Sequence, residues 1–228
     1  MFKKIFNKFS PKRKSQILHI LCIIYNKVQL NKKNINGNGN IIDINRALCK
    51  KISIRIIGDN NRVIFKSGSR ITNTDVSVSG SNHELIIDEF CIIQGCSFAF
   101  EDSNCSIIIG KNTTMENYCE LSSAEPFSKI IVGDDCMFSV YVIIRTTDSH
   151  SIIDCKSKMR INPAKDVIIG NHVWLGIYTI VLKGVSIGDD CVIGARSIVT
   201  KSFPSNTLIA GSPATTIHES ITWTRQRV

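Results

Sequence analysis

No acidic side chain occurs in the first 42 residues of this 228-residue chain; the first is Asp43. No apolar run reaches the roughly 18–20 residues that a membrane-spanning helix needs, and the longest candidate, Ile17 to Tyr25, is about half that and carries His19. No integral membrane protein is indicated. There is no CxxC pair, although nine cysteines are scattered from Cys22 to Cys191. An odd, dispersed set argues against a disulfide framework and a zinc ribbon, and fits a reducing cytosol. There is also no Walker loop and no Rossmann glycine fingerprint, so neither a nucleoside triphosphate nor a dinucleotide is expected.

What charge there is lies unevenly. Nine basic residues (Lys3, Lys4, Lys8, Lys12, Arg13, Lys14, Lys27, Lys32 and Lys33) fall in the acid-free stretch. The whole chain has 28 basic and 19 acidic residues, so positions 43–228 hold 28 − 9 = 19 of each sign and are net neutral. The sequence pI of about 9.2 is therefore a property of an N-terminal arm, and the body has no basic bias for a nucleic acid. A basic arm beside an apolar stretch suits an anionic membrane surface or an acidic polymer. The arm starts like a secretory leader. Asn26, Lys27, Val28 and Gln29 follow Tyr25 where a small-residue cleavage site would stand, so no leader is expected. Ile17, Leu18, Leu21, Ile24, Tyr25 and Val28 recur at helical spacing and predict one amphipathic helix from about Lys12 to Leu30.

From Asn34 onward short apolar runs alternate with Gly, Asn and Asp. Asn40, Asn61, Asn82 and Asn104 are 21, 21 and 22 residues apart, each followed by a strand-like run. A fixed period near 20 in short strands predicts a solenoid of stacked coils, with Asn accepting the left-handed backbone of tight corners. Further on the period tightens to six. Ile169, Leu175, Val181, Ile187, Ile193 and Val199 open consecutive units, and Val173, Thr179, Val185, Cys191, Ser197 and Phe203 sit four later. Three such units make one triangular coil, and both series are read as core. The register breaks between Ile144 and Ile169, which are 25 residues apart. That count predicts about seven residues beyond one coil in a projecting loop.

The stretch from about Ile130 to Trp223 resembles the hexapeptide-repeat acyltransferases, and within them bacterial O-acetyltransferases acting on sugars and surface polysaccharides. The matching residues are TTDSHSI (146–152), RINPAKDVIIGNHVWLG (160–176), IVLKGVSIGDDCVIGARSIVTK (180–201) and IAGSPA (209–214). The resemblance implies an all-β, left-handed parallel β-helix. The expected organisation is a basic arm with an amphipathic helix over 1–33, a β-helix over 34–211 with a loop at about 146–165, and a tail over 212–228.

The chemistry is expected at His150. It lies where the register breaks, and an unperturbed histidine, titrating near about 6.5, is largely a free base at neutral pH. It could take the proton of a sugar hydroxyl attacking a thioester; the resemblance assigns that role to the His of D-S-H. Asp148 could orient the imidazole, bind acceptor hydroxyls or cap the turn. The resemblance places Trp174 beside the catalytic His and the acceptor groove. It also implies acetyl-CoA as donor, its pantetheine passing the small residues Gly176 and Ala195 between neighbouring subunits. Lys183, Arg196 and Lys201 are the candidates for its phosphates. The related enzymes commonly have Lys after the closing Pro-Ala, whereas here Thr215 and Thr216 follow Pro213-Ala214, so a phosphate contact expected there is either lost or taken over by Arg225 or Arg227. His172 is read as a surface coil residue.

The expected function is acetyl transfer from acetyl-CoA to a hydroxyl of a cell-surface glycan, of capsule or O-antigen type, sialic acid included. The expected enzyme is a homotrimer without metal or nucleic acid, in the cytoplasm or peripheral on the inner membrane face through residues 1–33. An N-acetyltransferase of amino-sugar nucleotides and a non-catalytic binding solenoid are the alternatives. A solenoid carbonic anhydrase is a remote one, because only His150 and His172 are placed to meet a metal.

Overall fold

The computed structural model describes residues 10–227. Helix α1 spans Pro11–Val28, with Ser10 as N-cap and proline in the first turn, where its missing N–H costs nothing. Every later element is a short strand, and the strands stack into three flat faces.

Face 1 begins at Lys32–Asn36 and ends at Ile198–Val199. Face 2 runs from Ile41–Asp43 to Ser186–Ile187. Face 3 runs from Leu48–Lys50 to Thr207–Gly211, and the antiparallel strand Ala214–Glu219 closes it. All other pairings are parallel, each strand pairing with its equivalent one coil away, which makes a triangular parallel β-solenoid. Each coil shows one row of side chains inward, so neighbours bury it together. Phe65, Phe98, Phe100 and Phe138 are the largest side chains inside, amid isoleucine and valine. The openers Ile169, Leu175, Val181, Ile187, Ile193 and Val199 are all core, as are Val173, Val185, Cys191 and Phe203.

The register is finer than the asparagine spacing implies. Along face 2, Ile41 pairs with Arg62, Arg62 with Glu84, Glu84 with Ser106 and Ser106 with Lys129, so the coils have 21, 22, 22 and 23 residues. Asn40 and Asn61 share one column: the Asn61 Nδ2 donates to Asn40 Oδ1 (3.1 Å) and to the Gly80 carbonyl (2.9 Å). The next position of that column is His83, whose N–H donates to Asn61 Oδ1. Asn82 and Asn104 stand one place earlier, with Asn60, at left-handed φ of 57–61°. The asparagine series thus crosses between two columns, because the coil from Arg62 to Glu84 takes 22 residues while Asn61 and Asn82 are 21 apart.

The corners are similarly repetitive. Between faces 3 and 1, Asn73, Gly95, Tyr118, Tyr141, Tyr178 and Arg196 all have positive φ; between faces 2 and 3, Asn112, Asp135, His172, Asp190 and Asn206 do. At the first of these corners Tyr118, Tyr141 and Tyr178 stack at 4.6 and 4.7 Å, about the spacing of adjacent strands.

The projecting loop is larger than expected. Face 1 strand Ile143–Arg145 is followed directly by face 2 strand Val167–Ile169. Ile143 pairs with Ile180, 37 residues on, whereas the next coil takes 18 (Ile180 with Ile198). The surplus is 37 − 18 = 19 residues, all at the corner between faces 1 and 2. Counting in sixes from Ile144 hid twelve of them, because two further units look like part of the repeat.

Helix α1 is not a free arm. Asn26 donates to the carbonyls of Ile44 (3.2 Å) and Ala47 (3.0 Å) and accepts from the Cys49 N–H (2.8 Å). Asn31 donates to the Cys49 carbonyl (3.0 Å) and accepts from the Ile52 N–H (3.1 Å). These amides give partners to backbone groups that the first coil would otherwise leave open, so the helix covers the end of the solenoid. Residues 1–9 of the expected arm lie outside the described residues. Among the described residues no helix is long and apolar enough to cross a membrane.

Candidate active site

The loop over 146–166 is held at its base by one carboxylate. Glu125 occupies the corresponding corner of the preceding coil. Its Oε2 accepts from Arg160 Nη1 (2.7 Å) and the Ala164 N–H (3.2 Å); its Oε1 accepts from Arg160 Nη2 and the Thr147 hydroxyl. The bidentate hydrogen bonding of Arg160, outweighing partial burial, pulls the Glu125 carboxyl down to about 2. Asn162 makes the second tie. Its amide donates to the His150 carbonyl (2.8 Å) and Asp148 Oδ2 (2.9 Å), and its Oδ1 accepts from the Ile152 N–H (2.6 Å). Asp154 closes the far end, accepting from the Ser157 and Lys156 N–H groups (2.6 and 3.1 Å) in an Asx turn.

His150 stands on this platform. Its N–H donates to the Asp148 carbonyl (2.8 Å) across Ser149, whose φ is 67°. A bond across three residues with a positive central φ is the rarer, strained form of γ-turn, stored here beside the expected base. The His150 side chain is exposed and its ring hydrogen-bonds to no described residue. Both nitrogens are thus open to substrate.

Asp148 does not orient that ring. Its carboxylate pairs with the Lys183 ammonium (2.5 Å) and with Asn162, and the Lys183 hydrogen bond in particular lowers its pKa. Lys183 also donates to the Asn162 carbonyl (2.7 Å), and its side chain is only 15% exposed. Lys183 is committed to the loop rather than offered to a phosphate.

The remaining expected residues lie elsewhere on the prism. Gly176, Ala195 and Arg196 are at the corner between faces 3 and 1; the loop, Lys183 and Lys201 are at the corner between faces 1 and 2. Face 1 separates the two groups. A Cβ on Gly176 would stand 2.7 Å from the Ala195 nitrogen and 2.8 Å from the Ile193 carbonyl oxygen, so the next coil's own backbone requires glycine there. Arg196 lies 5.4 Å over the Tyr178 ring and Lys201 5.6 Å from the Phe203 ring, and neither has a carboxylate partner among the described residues. Trp174 points out of face 3, about a third exposed, with the Trp223 ring 5.9 Å away. Arg225 is not available as a substitute phosphate ligand: it is bonded to Asp135, Thr114 and the Cys136 carbonyl. His172, read as an ordinary surface residue, has both ring nitrogens engaged, by Asp135 and the Trp223 carbonyl.

The sequence reasoning missed Glu125, Arg160, Asn162 and Trp223. Arg160 and Asn162 stood inside the quoted RINPAKD stretch, which was a usable signal. Glu125 and Trp223 meet their partners 35 and 51 residues away in the chain, and no local pattern marks them.

Comparison with known proteins agrees with this architecture. Residues 166–201 match the pattern of bacterial transferase hexapeptide repeats (six repeats). The polysialic acid O-acetyltransferase of Neisseria meningitidis is 40% identical over 151 residues, 65% of this chain and 68% of that protein. The crystal structure of the polysialic acid O-acetyltransferase OatWY superposes with a TM-score of 0.83 at 38% identity, covering 86% of this chain and 92% of that one. The structure of the polySia-specific acetyltransferase NeuO gives 0.79 at 33% identity, covering 86% and 89%.

Proposed function

The chain belongs to the hexapeptide-repeat acyltransferases and is an O-acetyltransferase, and from that premise we propose that it moves acetyl from acetyl-CoA to a hydroxyl of a sialic-acid capsular glycan at sites completed by a second copy of itself. The observation that carries the reading is the division of the site residues. His150 projects from one edge of face 1, and Gly176, Ala195 and Arg196 line the other. A homotrimer brings the loop of one copy to the groove of the next. The loop also carries Ile152, Ile153, Met159 and Ile161 with 49–66% of their surface exposed, an apolar cluster suited to burial against a neighbour.

In the reaction the acceptor hydroxyl oxygen attacks the thioester carbonyl carbon while the His150 imidazole takes its proton. Backbone N–H groups at the interface stabilise the resulting oxyanion. The intermediate expels the CoA sulfur, and the imidazolium returns the proton to it, leaving an acetyl ester and free CoA. Arg196 and Lys201, which no carboxylate among the described residues engages, receive the nucleotide phosphates. Asp148 and Lys183 hold the loop. A cytoplasmic site of action fits the donor and the reduced thiols.

The direct test is transfer of labelled acetyl from acetyl-CoA to polysialic acid. Alkali-labile label is expected, and His150→Ala is expected to lose at least ~100-fold in rate, about 2.7 kcal/mol of barrier. Retention of more than a tenth of the rate, or label stable to alkali in amino-sugar nucleotides, would overturn the assignment.

The arm fits an anionic lipid surface. Ile20, Ile24 and Val28 are 55–72% exposed on the side of α1 away from Asn26, with Lys27 beside them and no acidic residue before Asp43. Ile20→Ser with Ile24→Ser should lower sedimentation with phosphatidylserine vesicles and leave activity on soluble polymer intact. Unchanged sedimentation would remove the membrane from the reading.

A further inference from the structure

After the closing strand, the chain crosses the coils instead of following them. Residues 221–225 descend the corner between faces 2 and 3. The Ile221 N–H donates to the Asn206 carbonyl (2.9 Å), and its carbonyl accepts from Asn206 Nδ2 (3.0 Å). One coil further the Thr222 hydroxyl donates to Asp190 (2.9 Å). In the next, Trp223 lies flat on the His172 ring, centroids 4.1 Å apart, and its indole N–H donates to the His172 carbonyl (2.7 Å). Arg225 then reaches the Asp135 carboxylate and the Cys136 carbonyl (3.0 Å each) and, beyond them, the Thr114 hydroxyl (3.0 Å). Four of these five residues grip five successive coils.

His172 sits at the centre of this grip. Its Nδ1 is 2.8 Å from the Asp135 carboxylate and its Nε2 is 2.9 Å from the Trp223 carbonyl. Both partners only accept, so both bonds exist together only when both nitrogens carry hydrogen and the ring is an imidazolium. Partial burial opposes that charge. The Trp223 carbonyl, Asp135 and the more distant Asp190 outweigh it, and the pKa lies above the ordinary histidine value. The other charge at this latch is Arg225, which shares Asp135 and stacks over Trp223 at 5.5 Å.

Trp223 also meets Trp174, centroids 5.9 Å apart at 48°. We propose that residues 221–225 form a strap that holds Trp174 in its working orientation beside the acceptor, latched by the His172 imidazolium. Trp223 and His172 are positioning residues; they act through Trp174. The inference rests on the acetyl-transfer reading and on the place beside the acceptor that the family resemblance implies for Trp174. Because the folded pKa is raised, the latch is complete below about pH 6.5 and weakens as pH rises through the higher folded value.

Two readouts test it. The chain has two tryptophans, so Trp174→Phe leaves Trp223 as the sole tryptophan, and a protonated imidazole stacked on it quenches its emission. One titration in emission above about pH 6.5 is expected, absent when His172→Gln is added. Flat emission in the Trp174→Phe protein would overturn the latch, whether or not acetyl transfer is observed. The second readout is kinetic. Trp223→Ala should raise KM for polysialic acid about tenfold, leave KM for acetyl-CoA within about twofold, and be largely rescued by Trp223→Phe. Wild-type KM values in the alanine variant, or an equal loss for both substrates with a lower melting temperature, would overturn the positioning role. Absence of transfer by the wild-type enzyme would instead count against the acetyl-transfer reading itself.

Discussion

A thiol suits the inside corner of a stacked coil, because its bulk is apolar and its S–H still donates weakly. At the corner between faces 2 and 3, Ser69, Cys91, Thr113, Cys136 and Cys191 each donate to a carbonyl of the following coil: Asp88, Gly110, Gly133, Gly170 and Pro204. Serine, threonine and cysteine are interchangeable there for one physical reason, and valine stands in that column at position 173. This explains why cysteines without any metal or disulfide pattern recur. Seven of the nine are buried, and burial pushes Cys49, Cys91 and Cys136 up to about 12, where almost no reactive thiolate exists at neutral pH. The native protein is therefore expected to react with a thiol reagent rapidly at Cys155 alone and slowly at half-buried Cys22, with the rest appearing only in denaturant. Rapid reaction of four or more thiols in the native state would contradict the packing. The role of these cysteines was legible only as an absence of motif; the register that makes them equivalent varies between 18 and 37 residues and could not be counted along the chain.

Among the elements, the loop owes its shape to partners outside itself. Glu125 belongs to the preceding coil, yet it fixes both ends of the excursion through Thr147, Arg160 and Ala164. Glu125→Gln keeps the size and removes the charge. Trypsin should then cut the loop faster at Lys156 and Lys158, and kcat should fall by about tenfold or more, since small misplacements of a catalytic group are costly. The melting temperature of the coils should hardly move. The wild-type loop should loosen in acid for the same reason. A carboxyl whose folded pKa lies near about 2 contributes above its ordinary range and loses that contribution as pH falls from about 4.5 toward 2. Hydrogen exchange in residues 147–164, compared at pH 6 and pH 3, checks this; equal protection would refute the anchor. The position of the loop was visible in the sequence as a broken register. Its size was not, because a surplus of nineteen differs from one of seven by two further units of six.

For the whole molecule, the proposed reading turns on the placement of His150 at one edge of face 1 and of Gly176, Ala195 and Arg196 at the other. Head-to-tail contacts leave no half open when they close into a ring, and the proposed homotrimer is such a ring. Light scattering should give three times 25.4 kDa at micromolar concentration, and a monomer would exclude the shared site. Mixing offers a sharper check. His150→Ala removes the base from one edge, and Ala195→Trp blocks the groove on the other. Each variant alone should be inactive, while subunits exchanged in equal amounts should recover about a quarter of the sites. No recovery after confirmed exchange would place both halves in the same chain. By itself the sequence determined the solenoid, since a hydrophobic row at a near-fixed period can be buried only by stacking equal coils. It also determined where the loop carrying the D-S-H histidine leaves the coils, because a local break in that period needs no partner to be seen. The tertiary structure alone decided which cations are spent on the loop, which carboxylate anchors it, and how the tail reaches back to Trp174. Those contacts join residues 35 to 111 positions apart. Their spacing depends on where each coil's extra residues fall, and only the stacked coils bring them within hydrogen-bonding reach.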